Sequence, residues 1–106
     1  MTVIVNWIKP KTYRNKKLLE AVRQMPCQHC GAQDGTVCAA HSNFSEHGKG
    51  MGHKASDACV AALCHRCHSL LDQGKDLSKA ERREVWLDAH VNTMRWLIEN
   101  EKLTLA

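Results

Sequence analysis

Cysteine and histidine, the residue types that bind zinc and transfer protons, are concentrated in two short stretches of this chain. The first reads CQHC at 27–30 and the second reads CHRCH at 64–68. A zinc ion takes about four protein ligands, and the two stretches together offer more than that. Either all of these groups serve one metal ion, or some of them are left for other chemistry.

The cysteines form two Cys-x-x-Cys pairs, Cys27 with Cys30 and Cys64 with Cys67. Two such pairs are typical of a closed, structural four-cysteine zinc site. The separation between them leaves room for a strand, a loop and a second strand. Four unrelated thiols or a redox-active pair are the alternatives. Redox pairs of this spacing normally lie in a strand–helix–strand context, which the sequence lacks, so the pattern favours zinc.

If four cysteines close the zinc site, the nearby histidines are available for a second function. In a helix with about 100° per residue, His65, His68 and Asp72 share one face. Cys64 and Cys67 share a neighbouring face. Two imidazoles and a carboxylate suit a second metal ion with open positions. The alternative is that these side chains are simply solvated.

His41 is a further candidate because it follows the apolar stretch VCAA at 37–40 and can project from the end of a strand. A neutral imidazole can take a proton from water near neutral pH. A single histidine in this position is more often structural. The presence of His68 on a helix that follows a loop makes a joint role for the two histidines more plausible.

The composition sets limits on the fold and on the partners. A chain of 106 residues suits one small domain. With 43% hydrophobic residues but one Phe and one Tyr, its core is thin and needs a metal or disulfides. The start of the chain does not resemble a signal peptide, and no stretch has the roughly 20 apolar residues of a membrane span. Reduced cytoplasmic thiols then favour metal over disulfides, and a net charge of +4 is compatible with a polyanionic partner.

The elements that must position these residues predict an α+β domain over 1–106. Pro26 ends a first amphipathic helix, and Ser78 with Glu81 forms a capping box that opens a long final helix. The strand candidates are TVCAA and CVAAL, joined by a long polar loop, and a short helix runs from about Cys64 to about Asp72. The predicted segments are an N-terminal arm at 1–13, a basic helix at 14–25, a zinc knuckle with two strands and a short helix at 26–73, and a C-terminal helix at 77–103.

The order of CQHC, a strand ending in His41, a loop and ALCHRCH resembles the HNH endonuclease superfamily, whose fold is called ββα-metal. The stretch AAHSNFSEHGKGMGHKASDACVAALCHRCHSLLD resembles more closely a branch of small phage and prophage nucleases, which includes the phage recombination-enhancement nucleases. The resemblance covers residues 14–72. It implies hydrolysis of DNA phosphodiester bonds in the cytoplasm of a bacterial host cell.

The resemblance also implies roles for individual residues. His41 matches the general base, and His68 matches the ligand of a catalytic divalent metal ion, Mg²⁺ or Mn²⁺. The four paired cysteines match a structural zinc site. The sequence departs from the family where Ala40 replaces a common metal-binding Asp and where Cys59 falls at the position of a middle Asn.

These two departures leave the catalytic metal short of ligands. Asp57 is the best substitute carboxylate, so the predicted ligand set is His68, Asp57 and His65, and Asn43 is a weaker substitute for the middle Asn. The departures also favour an alternative, a zinc-stabilised DNA-binding module in phage recombination that does not cleave.

DNA is the expected partner, and in that branch recombination proteins are expected as well. The residues predicted to contact phosphates are Lys49 and Lys54 in the polar loop and Arg14, Lys16, Lys17 and Arg23 in the first helix. Each of them is equally well a solvated lysine or arginine. The sequence leaves open whether the chain is a monomer or a homodimer paired through its C-terminal helix.

Overall fold

The computed structural model describes residues 13–44, 47, 49–50, 52, 54–73, 76–103 and 105. Nearly all of the predicted N-terminal arm lies outside these residues. Among them, no helix is both long enough and apolar enough to cross a membrane.

Within the described residues, the chain forms three helices around a two-stranded sheet, which is the predicted α+β class. The elements in chain order are α1 (Lys16–Arg23), β1 (Cys38–His41), β2 (Val60–Leu63), α2 (His65–Gln73) and α3 (Lys79–Glu99). The predicted order of elements is therefore confirmed.

Helix α1 is shorter than predicted because Asn15 caps it. The Asn15 side chain accepts a hydrogen bond of 3.1 Å from the backbone N–H of Leu18, which satisfies one of the donors that a helix start leaves unpaired. Leu18, Val22 and Met25 are buried. The segment is thus amphipathic, as predicted, and its apolar face contacts the core.

The strands β1 and β2 are antiparallel, with Cys38 opposite Leu63 and His41 opposite Val60. All of β2 is buried, and α3 packs mainly against it. Helix α3 also satisfies backbone groups that a third strand would otherwise pair. The Thr93 hydroxyl accepts a hydrogen bond of 2.9 Å from the backbone N–H of Ala62, and the His90 ring N–H donates to the carbonyl of Val60 at 2.7 Å. The sheet can therefore stay small without leaving buried polar groups unpaired.

Helix α3 begins at the predicted Ser78–Glu81 capping box, which is fully formed, but it ends at Glu99 and not at 103. Its buried residues are Trp86, Ala89, Thr93 and Leu97. The Trp86 indole N–H donates to the Ala40 carbonyl at 3.0 Å. This bond fixes the N-terminal half of α3 beside the end of β1, where His41 lies.

Candidate metal centre and histidine cleft

Four cysteines from the two predicted pairs lie together. The sulfur atoms of Cys27, Cys30, Cys64 and Cys67 are all within 4.8 Å of one another, and Cys30 Sγ lies 3.6 Å from Cys64 Sγ. A tetrahedral zinc ion with Zn–S bonds of about 2.3 Å separates its sulfurs by about 3.8 Å. The cluster could therefore coordinate a metal ion such as zinc, and among the described residues no other group of three or more potential ligands is this close.

The knuckle that carries Cys27 is a tight turn attached directly to the sheet. Gly31 donates from its N–H to the Cys27 carbonyl at 2.9 Å and adopts a φ of +80°, a conformation that favours glycine. The Gln28 N–H donates to the Ala62 carbonyl at 2.8 Å. Since β2 leads straight into Cys64, this bond holds the two halves of the cysteine cluster in register.

The thiols of the cluster differ in their readiness to ionise. Burial alone would raise the pKa of Cys27, but hydrogen bonds from the backbone N–H groups of Cys30, Cys64 and His29 outweigh it and lower the pKa to about 6. Burial raises the pKa of Cys67 and of Cys64, and the sulfurs of Cys27 and Cys30 raise both further. One thiolate is thus prepared by the fold, and a bound cation would be needed to stabilise the others.

The predicted base His41 is held by a buried carboxylate. His41 Nε2 lies 2.7 Å from Asp57 Oδ1, and the Asp57 side chain is 3% exposed. In the neutral ring, Nε2–H donates to the carboxylate and Nδ1 carries the lone pair. No described residue hydrogen-bonds to Nδ1. A carboxylate in this position orients an imidazole and stabilises it when it gains a proton.

Asp57 is in turn fixed by the start of α1. The Asn15 backbone N–H donates to Asp57 Oδ2 at 2.7 Å, and an Arg14 nitrogen lies 3.7 Å from Oδ1. Burial raises the pKa of Asp57, but the hydrogen bonds from His41 and Asn15 and the nearby positive charges outweigh it, so the pKa lies below its usual value. The carboxylate is therefore ionised at neutral pH and accepts the hydrogen bond from His41 Nε2–H.

His41 and His68 line the same cleft, which has a volume of about 420 Å³. Its described walls come from β1 and the residues after it, from α2 and from the first turns of α3. The lining residues are Ala40, His41, Asn43, Phe44, His68, Leu71, Asp72, Lys79, Arg82, Arg83 and Trp86.

Within the cleft, His68 is engaged at both ring nitrogens. Its Nδ1 lies 3.3 Å from Cys38 Sγ, and its Nε2 lies 3.1 Å from Asp72 Oδ2. The Asn43 amide donates to the other Asp72 oxygen at 3.4 Å. One turn of α2 thus brings an imidazole and a carboxylate side by side.

The three side chains predicted to bind a catalytic metal do not lie together. Asp57 contacts His41, His68 contacts Asp72, and His65 is exposed and lies outside the cleft lining. The buried Ala40 supplies no ligand atom from its side chain. Cys59 is half-buried, and burial raises the pKa of its thiol.

The residues predicted to contact phosphates are also spread out. Arg14 donates to the carbonyls of Ala55, at 2.9 Å, and of Lys54, at 3.1 Å, so its guanidinium ties α1 to the segment before Asp57. Lys17, Lys49 and Lys54 are exposed, and none of them lines the cleft.

Sequence reasoning missed the basic wall of the cleft, which consists of Lys79, Arg82 and Arg83. The signal was present as the run KAERR at 79–83. A basic run at the start of a helix is usually a solvated face, however, and nothing local in the sequence brings it to His41. No family model, curated protein or solved structure matches this chain.

Proposed function

We propose that this protein is a metal-dependent DNA endonuclease or nicking enzyme of the HNH type. The observation that carries the proposal is that His41 and His68, which are 27 residues apart in the sequence, line one cleft beside three basic side chains. The order β1, β2, α2 is also the order that a ββα-metal core requires. The resemblance further supports a phage or prophage origin and action in the bacterial cytoplasm.

His41 is the general base of the proposed reaction. Its Nδ1 takes a proton from the attacking water, while Nε2–H remains bonded to the ionised Asp57. The carboxylate stabilises the imidazolium that forms, and general-base assistance of this kind is worth about 10²–10⁴ in rate. Asp57 acts through His41 and is a positioning residue, which differs from the metal-ligand role predicted from the sequence.

His68 and Asp72 are the residues that would hold the divalent ion. The separation of 3.1 Å between His68 Nε2 and Asp72 Oδ2 fits two adjacent ligands of an octahedral ion, which are about 3 Å apart when metal–ligand distances are about 2.1 Å. The contacts of Cys38 with His68 Nδ1 and of Asn43 with Asp72 Oδ1 would hold both ligands in position. When bound, such an ion supplies Lewis-acid stabilisation of the phosphate and the leaving oxygen.

The four-cysteine cluster has a different task in this proposal. A zinc ion closed by four thiolates has no open position and takes no part in hydrolysis. It would join the knuckle to the start of α2, so that His68 and Asp72 keep their places against His41 despite the small core.

A DNA-binding module without cleavage is the second candidate. The observation that favours it is the environment of Ala40, which is 2% exposed and occupies the position of a common metal-binding Asp in the HNH family. With one ligand position lost, a site built on His68 and Asp72 depends on water and phosphate for its remaining ligands.

Nicking of supercoiled plasmid DNA in Mg²⁺ or Mn²⁺ tests the proposal. The parent should convert the plasmid to open circles, and His41→Ala should lose at least about 10²-fold of this rate because the base is gone. His65→Ala is the matched control, since His65 is exposed and lies outside the cleft lining. A parent that binds DNA but never nicks it, under any divalent ion, would favour the second candidate.

A further inference from the structure

We infer that the first turns of α3 bind the phosphodiester backbone of duplex DNA through Lys79, Arg82 and Arg83, and that this basic wall holds the scissile strand against His41. The inference rests on the proposed function and extends it to the surface that takes the substrate. It replaces α1 as the expected phosphate-binding surface.

The charge of the cleft supports an anionic occupant. Lys79 lies three and four positions before Arg82 and Arg83 on α3, so its side chain neighbours both arginines. All three side chains line the cleft that holds His41 and His68. A phosphate chain in the cleft would therefore contact up to three cationic side chains.

Both arginines are held in place by neighbours at the cleft. Arg82 Nε–H donates to the Leu77 carbonyl at 3.2 Å. The Arg83 guanidinium carbon lies 4.0 Å from the centre of the Phe44 ring, and Phe44 contacts Trp86 edge to face. A guanidinium restrained in this way loses less conformational entropy when it forms its forked hydrogen bonds to a phosphate.

The side chains of α3, and not its backbone N–H groups, carry the proposed contacts. The Ser78 side chain already accepts from the Glu81 N–H, and the Glu81 carboxylate accepts from the Ser78 N–H. The helix start therefore has its own acceptors, and a phosphate is drawn to the cationic side chains beside it.

Helix α1 fits a phosphate-binding role less well. Arg14 uses its guanidinium on the carbonyls of Lys54 and Ala55. Lys16, Lys17 and Arg23 are exposed, but none of them lines the cleft that holds the two histidines.

The experiment measures the salt dependence of binding to a short duplex with no divalent ion added, so that binding is separated from cleavage. The test variant is Lys79→Gln with Arg82→Gln and Arg83→Gln. The matched control, Lys16→Gln with Lys17→Gln and Arg23→Gln, removes the same charge from α1. The slope of log K against log salt should fall by up to about 2.7 in the α3 variant, at about 0.9 per lost contact, and stay unchanged in the control.

Between 50 and 200 mM salt, this difference means that the parent loses roughly 40-fold more affinity than the α3 variant. Should the triple variant fail to fold, Lys79→Gln with Arg83→Gln replaces it, because both residues are exposed, and the expected change in slope becomes about 1.8. An unchanged slope in the α3 variants, an equal change in the α1 control, or a parent that binds no duplex at 50 mM salt would overturn the inference.

Plasmid nicking, assayed separately, distinguishes this inference from the proposed function. If DNA binding depends on α3 but the parent does not nick, the inferred DNA-binding surface stands and the proposed nuclease function fails. If the parent nicks but the salt dependence of binding does not depend on α3, the nuclease function stands and the inferred surface fails.

Discussion

Replacing Asp57 by Asn separates the two roles that this residue could have. The sequence predicts Asp57 as a ligand of the catalytic metal, whereas the structure directs it to His41. Asp57→Asn preserves the size of the side chain and removes its charge. If Asp57 only orients His41, Mn²⁺ affinity should stay unchanged while nicking falls at least about 10²-fold. An Asn amide N–H facing Nε2 would also favour the tautomer in which Nδ1 carries the proton and cannot act as a base.

The effect on stability follows from the hydrogen bonds. The buried carboxylate accepts bonds of 2.7 Å from both His41 and the Asn15 backbone. Hydrogen bonds to a charged group contribute about 1.5–3 kcal/mol each and neutral ones about 0.5–1.5 kcal/mol. Asn can keep the bond from Asn15 as a neutral one. We therefore expect Asp57→Asn to lower the free energy of unfolding by about 1.5–5 kcal/mol at neutral pH.

The direction of the pKa shift of Asp57 determines how its contribution to stability depends on pH. The pKa of Asp57 is lower in the folded protein than the value of about 3.9 in an unfolded chain. The contribution of Asp57 to stability is therefore complete above its pKa in the unfolded chain, and it is lost as the pH falls through its pKa in the folded protein. Urea unfolding should show a difference between parent and Asp57→Asn that is present at neutral pH and shrinks below about pH 4, as the Asp57 carboxylate gains a proton.

Asp88→Asn, an exposed change on α3, is the control and should alter neither Mn²⁺ affinity nor stability. The orienting role would be refuted if Asp57→Asn abolished Mn²⁺ binding, or if it nicked DNA as fast as the parent.

Further predictions concern the metal sites and the core. Metal analysis of the purified protein should find about one tightly bound zinc per chain. The Cys64→Ser variant should lose this zinc and largely unfold, as measured by circular dichroism, whereas the His29→Ala control, at an exposed residue, should keep it. A stable, zinc-free Cys64→Ser protein would contradict a structural zinc site. His68→Ala should lose Mn²⁺ binding while His41→Ala retains it, as measured by titration, and equal loss in both would mean that the two histidines share the metal. Thr93→Val should cost about 1–3 kcal/mol in urea unfolding because the Ala62 N–H is left buried without an acceptor; a change below about 0.5 kcal/mol would show that the helix is not needed to satisfy β2.

The local features of this protein follow from the sequence because short-range geometry dictates them. The spacing of Cys27 and Cys30 predicts a knuckle, and Ser78 with Glu81 predicts the start of α3, since both depend on residues within one turn. The α+β class and the order of elements follow from the same kind of pattern. His41 and His68 could be named as candidates on residue type and on the resemblance, while their chemical roles remain predictions.

Tertiary structure decided which of these groups meet. Asp57 is 16 residues after His41 in the chain, yet its carboxylate accepts hydrogen bonds from both the His41 ring and the backbone N–H of Asn15 at the start of α1. Lys79, Arg82 and Arg83 line the same cleft as His41 because Trp86 anchors α3 to the end of β1. Such contacts join residues far apart in the chain, and their formation depends on how helices pack on the sheet. Periodicity and spacing describe only neighbours in sequence, so they could suggest the histidines but not the carboxylate that holds one of them or the basic wall beside both.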